Sequence, residues 1–323
     1  MLLDTADDPQ LPLLLRLAAI TFRAEGIHLY ELRAPDGAEM PEFTAGAHID
    51  IRLPNGMVRQ YSLCNPQAER HRYVIGVKRD PASRGGSRFM HEELRVGTLL
   101  RTSLPRNNFP LAEGAAHSVL IAGGIGVTPI RSMVDRLQWL GRSWELHYGV
   151  QRRAEAVFLD EFRAVHSHVH LHVDEEAPGV LMDIAEIVRA APQESHLYCC
   201  GPAPMLKAFE AAAAVRPESH VHVEYFSSDV PVAADGGFSV RMAKSGRVVP
   251  VQQGQTILDA LKAAGVNVPF SCAQGVCGTC ETRVLDGVPD HRDIILSPQE
   301  KAANQTMMIC CSGSKTPMLV LDI

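Results

Sequence analysis

Cys272, Cys277 and Cys280 stand close together in the stretch SCAQGVCGTC, in a chain that holds only eight cysteines. Their C-x4-C-x2-C spacing holds a [2Fe-2S] cluster when a fourth cysteine follows. Two candidates follow, Cys310 and Cys311 in MMICCSG. On a strand their side chains point to opposite faces, so only one of them reaches the cluster. Gly275 and Gly278 fit such a loop, because backbone without a Cβ approaches the sulfides and donates N–H bonds to them. Structural zinc is the alternative, but four-thiolate zinc sites usually show two C-x2-C pairs and this stretch offers one. A single [2Fe-2S] centre moves one electron at a time, so the chain needs an upstream donor.

Three further stretches are suited to that donor. VLIAGGIGVTPIRSM, from Val119, is an apolar strand running through Gly123, Gly124 and Gly126 into a helix, the arrangement that seats a phosphate. Pro129 stands where the G-x-G-x-x-G fingerprint has its third glycine. Thr128 is expected to cap the helix and Pro129 to suit its first turn. A turn of this kind also serves as a plain tight connection. Upstream, RQYSL sets Arg59, Tyr61 and Ser62 on or beside one strand face. An arginine for a phosphate, an aromatic for stacking and a hydroxyl for a polar ring edge suit a planar redox cofactor. The same trio is common on ordinary exposed strands. VKRDPASRGGSRFMHEEL then offers Lys78, Arg79, Arg84, Gly85, Gly86 and Ser87 ahead of a helical run, a second anion site.

The elements that must hold these residues fall into three blocks. Residues 15–112 read as short strands between turns, such as HIDIRLP and MVRQYSL around Asn55-Gly56, giving an antiparallel barrel or sandwich. Residues 117–226 alternate apolar strands with helical periods, giving a parallel α/β sheet. SSDVPVAADGG, 227–237, reads as a linker. In the last block Thr256 with Asp259, and Ser297 with Pro298 and Glu300, mark two helix starts, and Gly265 marks an end.

Composition narrows the partners. The chain has 323 residues, 46% of them hydrophobic, and a formal charge of -6, without the basic excess of a nucleic-acid binder. No run approaches the ~18 apolar residues of a membrane span. Asp4, Asp7 and Asp8 stand where a secretory signal would be basic, and Pro12 and Arg16 break the apolar run 11–20, which reads as a strand. A cytoplasmic protein is expected, with reduced cysteines and so a metal-bound cluster rather than disulfides.

Over nearly its whole length the chain resembles the reductases of the phthalate dioxygenase and vanillate O-demethylase systems. The matching stretches are RQYSLCN, SRGGS, AGGIGVTP, CCGP, EYF and CAQGVCGTC, in that order. The resemblance implies an antiparallel β-barrel flavin domain (1–113), an α/β parallel-sheet nucleotide domain (114–228), a linker (229–237) and an α+β ferredoxin domain of β-grasp fold (238–323). It implies FMN held by Arg59 and by Gly85, Gly86 and Ser87, with Tyr61 and Ser62 against the flavin. Gly123, Gly124, Gly126 and Thr128 would line the site for NADH, with Asp174 at its ribose and Cys200 near the nicotinamide. Phe226 would close over the flavin, and Cys200, Ser62 and Phe226 would be the catalytic set. Cys310 rather than Cys311 would be the fourth cluster ligand, although a cysteine at the following position departs from the family pattern.

The electron acceptor implied is a Rieske non-haem iron oxygenase, a transient protein partner; a cytochrome P450 is the alternative acceptor. From 238 onward the chain has eight Lys or Arg and seven Asp or Glu, which gives no clue to a charged docking face. Redox cofactors carry the chemistry, so no general base is expected and the fourteen histidines need no catalytic role, most reading as surface or ordinary structural residues. Cys64 and Cys199 read as small buried hydrophobes. Gln151, Arg152 and Arg153 would be the residues to meet a 2′-phosphate, against the NADH preference.

Overall fold

The computed structural model describes residues 10–81, 85–228 and 230–323, in two compact units divided between Tyr225 and Phe226. Arg84, named above at the second anion site, and Asp4, Asp7 and Asp8 lie outside the described residues.

In the first unit the early apolar run is built into β1 (Leu13–Ala24), which pairs with β2 (Ile27–Arg33). The Asn-Gly signal folds as expected: β3 (His48–Arg52) and β4 (Val58–Ser62) form a hairpin. At its turn Gly56 has φ 84° and the Met57 amide donates to Asn55 Oδ1 at 3.2 Å. With β5 (Tyr73–Lys78), helix α1 (Gly86–Glu92) and β6 (Leu99–Thr102), the antiparallel sheet runs β4-β3-β6-β1-β2-β5. A bridge between Leu63 and Ile75 joins the ends of that order and curls the sheet into a barrel. Alternate residues such as Leu15, Leu17, Tyr30, Leu32, Ile49 and Ile51 fill it.

The strands of the following segment alternate with helices. They are β7 (His117–Gly123), α2 (Val127–Leu140), β8 (Ser143–Val150), α3 (Leu159–Val165), β9 (Val169–Val173), α4 (Ile184–Ala190), β10 (His196–Cys200), α5 (Ala203–Ala213) and β11 (Val221–Glu224). The sheet is parallel, ordered β11-β10-β7-β8-β9. The chain moves outward from β7 to β9 and then returns to the other side of β7, so β7 and β10 flank the reversal of strand order. In open α/β sheets that is where ligands bind.

Barrel and α/β sheet share apolar packing. Ile27, Cys64, Val74 and Phe109 belong to one buried cluster with Leu120, Ile130, Met133 and Tyr198. Phe109 meets Tyr198 edge-on at 5.7 Å, and the Ala112 amide donates to the Tyr198 hydroxyl at 2.8 Å. The Gly46 amide donates to Ser132 Oγ at 3.1 Å.

The second unit contains β12 (Phe238–Met242), β13 (Val248–Val251), α6 (Ile257–Ala263), β14 (Glu281–Asp286), β15 (Pro289–Asp290), α7 (Pro298–Ala303), β16 (Thr306–Met308), β17 (Gly313–Ser314) and β18 (Met318–Leu321). Its mixed sheet runs β13-β12-β18-β14-β16, and β15 pairs with β17. Both expected capping boxes form, Thr256 with Asp259 and Ser297 with Glu300, and α6 ends before Gly265 at φ 75°. The expected linker differs from its reading. From Ala233 onward it is tied to the second unit: the Ala233 amide donates to the Cys311 carbonyl at 2.7 Å, and the Ala234 carbonyl accepts from Gly254 at 2.8 Å. The backbone of these small residues pairs with the backbone of the second unit rather than marking slack chain. Among the described residues no helix is long and apolar enough to cross a membrane.

Candidate redox centre

The cysteine loop precedes β14 and has no regular secondary structure. Gly275 and Gly278 bend it at φ 71° and 73°. The loop brings Cys272, Cys277 and Cys280 to Cys310, whose thiol engages those of Cys272 and Cys280, while Cys272 also meets Cys277. Cys277, Cys280 and Cys310 are all buried. The thiol of Cys310 and burial together push Cys280 up, and Cys272 and burial do the same to Cys277. The Cys277 and Cys280 thiols, held up in this way, ionise only beside a compensating cation, which the irons of a cluster supply. The Gln274 amide already donates to Cys272 Sγ at 3.3 Å, as expected around cluster sulfurs. The donor set fits a [2Fe-2S] cluster.

The choice between Cys310 and Cys311 is made differently from the strand argument. Strand β16 ends at Met308, and both cysteines lie in the turn that follows, where the amides of Cys311 and Ser312 both reach the Met308 carbonyl. That turn aims Cys310 into the quartet and leaves Cys311 Sγ 3.7 Å from the Met308 carbonyl and 3.8 Å from Ser312 Oγ. A Cβ on Gly275 would stand 2.6 Å from Cys311 Sγ, so this glycine is held by the extra cysteine as well as by its φ.

In the barrel, Arg59 on β4 lies across the start of α1. A Cβ on Gly86 would come 2.5 Å from Arg59 Nε, so a larger residue would displace the Arg59 side chain from this position. Two stretches far apart in sequence thus meet, as the phosphate reading requires. Ser87 Oγ accepts from the Asp80 amide at 3.2 Å, and Arg79, Asp80, Pro81 and Arg88 line a small cavity of about 200 Å³ beside it. Tyr61 is half-buried and Ser62 buried at the end of β4. Across from Ser62, in register, is His48, 1% exposed, with burial pushing its imidazole down to about 3 and neither ring nitrogen hydrogen-bonded. No spacing in the sequence singles out His48.

At the reversal of strand order, Gly123 ends β7, and Gly124 and Gly126 lie in the 3-10 turn that runs into α2. Gly126 is a packing requirement, since a Cβ there would stand 2.2 Å from the Cys200 carbonyl oxygen. Gly123 likewise faces Pro202 and Met205, whereas Gly124, at φ 54°, opens on free space. Thr128 does not cap the helix. Gly126 occupies the N-cap position, and the Thr128 hydroxyl, buried, donates to the Ile125 carbonyl at 2.9 Å because α2 starts two residues earlier than its polar signal.

Cys200 ends β10, fully buried, beside Glu224 in register on β11. Burial pushes the Glu224 carboxyl up to about 8, and burial with that carboxyl drives the Cys200 thiol well above its ordinary value. Glu224 was not singled out from sequence; a lone acid two residues before Phe226 gives no spacing signal, and its character comes from burial. Asp174 follows β9 directly, 44% exposed, with His172 Nε2 at 3.6 Å. Arg152 is paired with Glu25 and Glu155, and Arg153 with Glu176. Phe226 is 42% exposed. Cys64 and Cys199 are buried, as expected.

A fold of this kind, with a glycine turn at a strand-order reversal and a buried cysteine quartet, defines an iron–sulfur oxidoreductase that uses a pyridine nucleotide. Comparison with known proteins sharpens the class. Residues 120–211 match an oxidoreductase NAD-binding domain and residues 240–314 a 2Fe-2S iron-sulfur cluster binding domain. The chain is 56% identical over 313 residues to the phenoxybenzoate dioxygenase subunit beta of Ectopseudomonas oleovorans, covering 97% of this chain and 98% of that one. Phthalate dioxygenase reductase, described as a modular structure for electron transfer from pyridine nucleotides to [2Fe-2S], superposes with a TM-score of 0.74 at 38% identity, over 96% of this chain and 98% of that one. An intact type IV self-sufficient cytochrome P450 monooxygenase gives a TM-score of 0.84 at 38% identity, but the chain spans only 41% of its length. The chain belongs to the phthalate dioxygenase reductase family, and its cofactors are FMN, NADH and a [2Fe-2S] cluster.

Proposed function

We propose that this chain is the reductase component of a Rieske-type non-haem iron oxygenase system, taking electrons from NADH and handing them singly to a separate, transiently docked oxygenase. The observation that carries this reading is the Cys272, Cys277, Cys280 and Cys310 quartet in the same chain as a nucleotide-type strand reversal and the Arg59–Gly86 cradle. When bound, the flavin converts two-electron hydride chemistry into the one-electron currency of the cluster.

The residues' tasks are placement. Arg59, with Gly85, Gly86 and Ser87, holds the FMN phosphate, and Tyr61 and Ser62 orient the ring. Gly124 gives the nucleotide phosphates access to backbone amides, while Gly123, Gly126 and Thr128 fix that turn against its neighbours. Cys200 and Glu224 back the nicotinamide end, and Phe226 covers the flavin until nucleotide arrives. Asp174 receives the ribose, and the carboxylates already paired with Arg152 and Arg153 favour NADH over NADPH. The division into a flavin domain at 1–113, a nucleotide domain at 114–228 and a ferredoxin domain at 238–323 belongs to the same reading, as does a cytoplasmic location, with the expected linker at 229–237 tied to the second unit from Ala233 onward.

Anaerobic titration with NADH, followed by visible absorption and electron paramagnetic resonance, tests the internal path. Bleaching of flavin and cluster with a reduced [2Fe-2S] signal is expected; a protein that stays colourless after reconstitution with FMN, iron and sulfide overturns the reading. The self-sufficient P450 resemblance supports a second acceptor class. Coupled turnover with a Rieske oxygenase and with a P450 separates the two.

A further inference from the structure

Residues outside the electron path form a second donor cluster. Strands β8 and β9 run parallel with His147 opposite His170. Their imidazoles stack with centroids 4.7 Å apart and planes 19° from parallel. Glu145 precedes His147 by two positions and therefore shares its face. His147 Nε2 lies 3.6 Å from Glu145 Oε1, and one donor atom from each of the three residues lies within 4.8 Å of the others. Side chains of the alternate positions, Trp144, Leu146 and Tyr148, are buried in the core on the opposite face. The apolar cluster beneath α4 and α5 takes in Val119 and Ile121 of β7, which pair with Glu145 and His147, and includes no residue of β8 or β9. The three donors thus stand at the margin of that cluster, with His170 exposed.

We propose that Glu145, His147 and His170 bind one divalent late transition-metal ion, zinc being the probe of choice. Two imidazoles and one carboxylate form a donor set that zinc accepts with a fourth position left to water, and imidazole-rich sites also suit copper(II) and nickel. The ion would tie β9, the sheet's edge strand, to β8 by side chains in addition to the backbone ladder. Asp174 continues directly from β9, so the tie steadies the strand that presents it. The site is remote in kind from the cysteine quartet: it uses nitrogen and oxygen donors, carries no electrons and is read out by metal content.

The test uses the holoprotein with flavin and iron content verified, dialysed against chelator and then against zinc chloride, with zinc and iron counted per chain by mass spectrometry. One zinc beyond the cluster iron is expected, together with a rise in thermal midpoint. His170→Asn, at an exposed position that leaves the core untouched, is expected to weaken zinc binding about tenfold or more and to abolish the rise, with its zinc-free midpoint unchanged. His196→Asn serves as the control, because His196 lies in another histidine cluster, with Nδ1 3.0 Å from His222 Nε2. Absence of zinc in the wild type, equal binding by His170→Asn, or loss of zinc only in His196→Asn would each overturn the proposal. Since iron stoichiometry and reduction by NADH are followed separately, failure here is distinguishable from failure of the reductase reading.

Discussion

In the proposed reading the cysteine quartet and the glycine turn serve the two ends of one electron route, yet they are built on opposite principles. The quartet is made of side chains whose chemistry is unique to their type, so their order along the chain announces them. At the glycine turn, side chains are absent for two distinct reasons. Gly124 opens on free space, whereas Gly126 leaves room for the Cys200 carbonyl of the neighbouring strand. A motif read as a phosphate loop is therefore partly a packing device, and a substitution at Gly126 damages the fold before it touches a ligand.

The sharpest break of that comparison is at the quartet. Cys310→Ser is expected to lose the cluster completely while NADH still bleaches the flavin, and Cys311→Ser to keep it; iron and sulfide analysis with electron paramagnetic resonance checks both. Gly126→Ala should destabilise the first unit by about 1–3 kcal/mol, because the obstructing atom belongs to backbone that cannot swing away. Its denaturation midpoint should fall with or without nucleotide, while Gly124→Ala, which meets no neighbour but strains a left-handed φ, should raise the KM for NADH more than it lowers the midpoint. Arg59→Ala should weaken FMN binding by about 1.5–3 kcal/mol, the range for hydrogen bonds to charged groups, measured by equilibrium dialysis of the deflavinated protein.

A further break is pH-dependent and concerns Glu224. Its folded value of about 8 stands above the ordinary 4.5, so the folded state holds the proton more tightly. The stability this carboxyl contributes is fully present below about 4.5 and is lost as pH rises through about 8. Denaturant midpoints of the wild type should decline over that window more steeply than those of Glu224→Gln.

Much of this was legible because the signals were local. Asn55-Gly56 set a hairpin, Thr256 and Ser297 set capping boxes, and alternating apolar runs set the parallel sheet. Signals that depend on a distant neighbour misled or stayed silent. Thr128 looked like a cap because the sequence does not show the 3-10 turn that starts the helix early. Cys310 and Cys311 were weighed as strand residues, although β16 stops short of them. His48 and Glu224 owe their character to burial, and Gly86 owes its tight surroundings to an arginine on another strand.

The apolar cluster spanning Ile27, Val74 and Phe109 of the barrel and Ile130, Met133 and Tyr198 of the α/β sheet bears on how this molecule can be re-engineered. A cassette cut at residue 113 would leave Phe109 and Ile130 as raw faces, so a chimera exchanging one half alone would inherit a seam that no longer fits. The natural cassette boundary lies after Tyr225, and swapping the first 225 residues as one block, with Phe109 and Tyr198 travelling together, is the graft that keeps its interior dry.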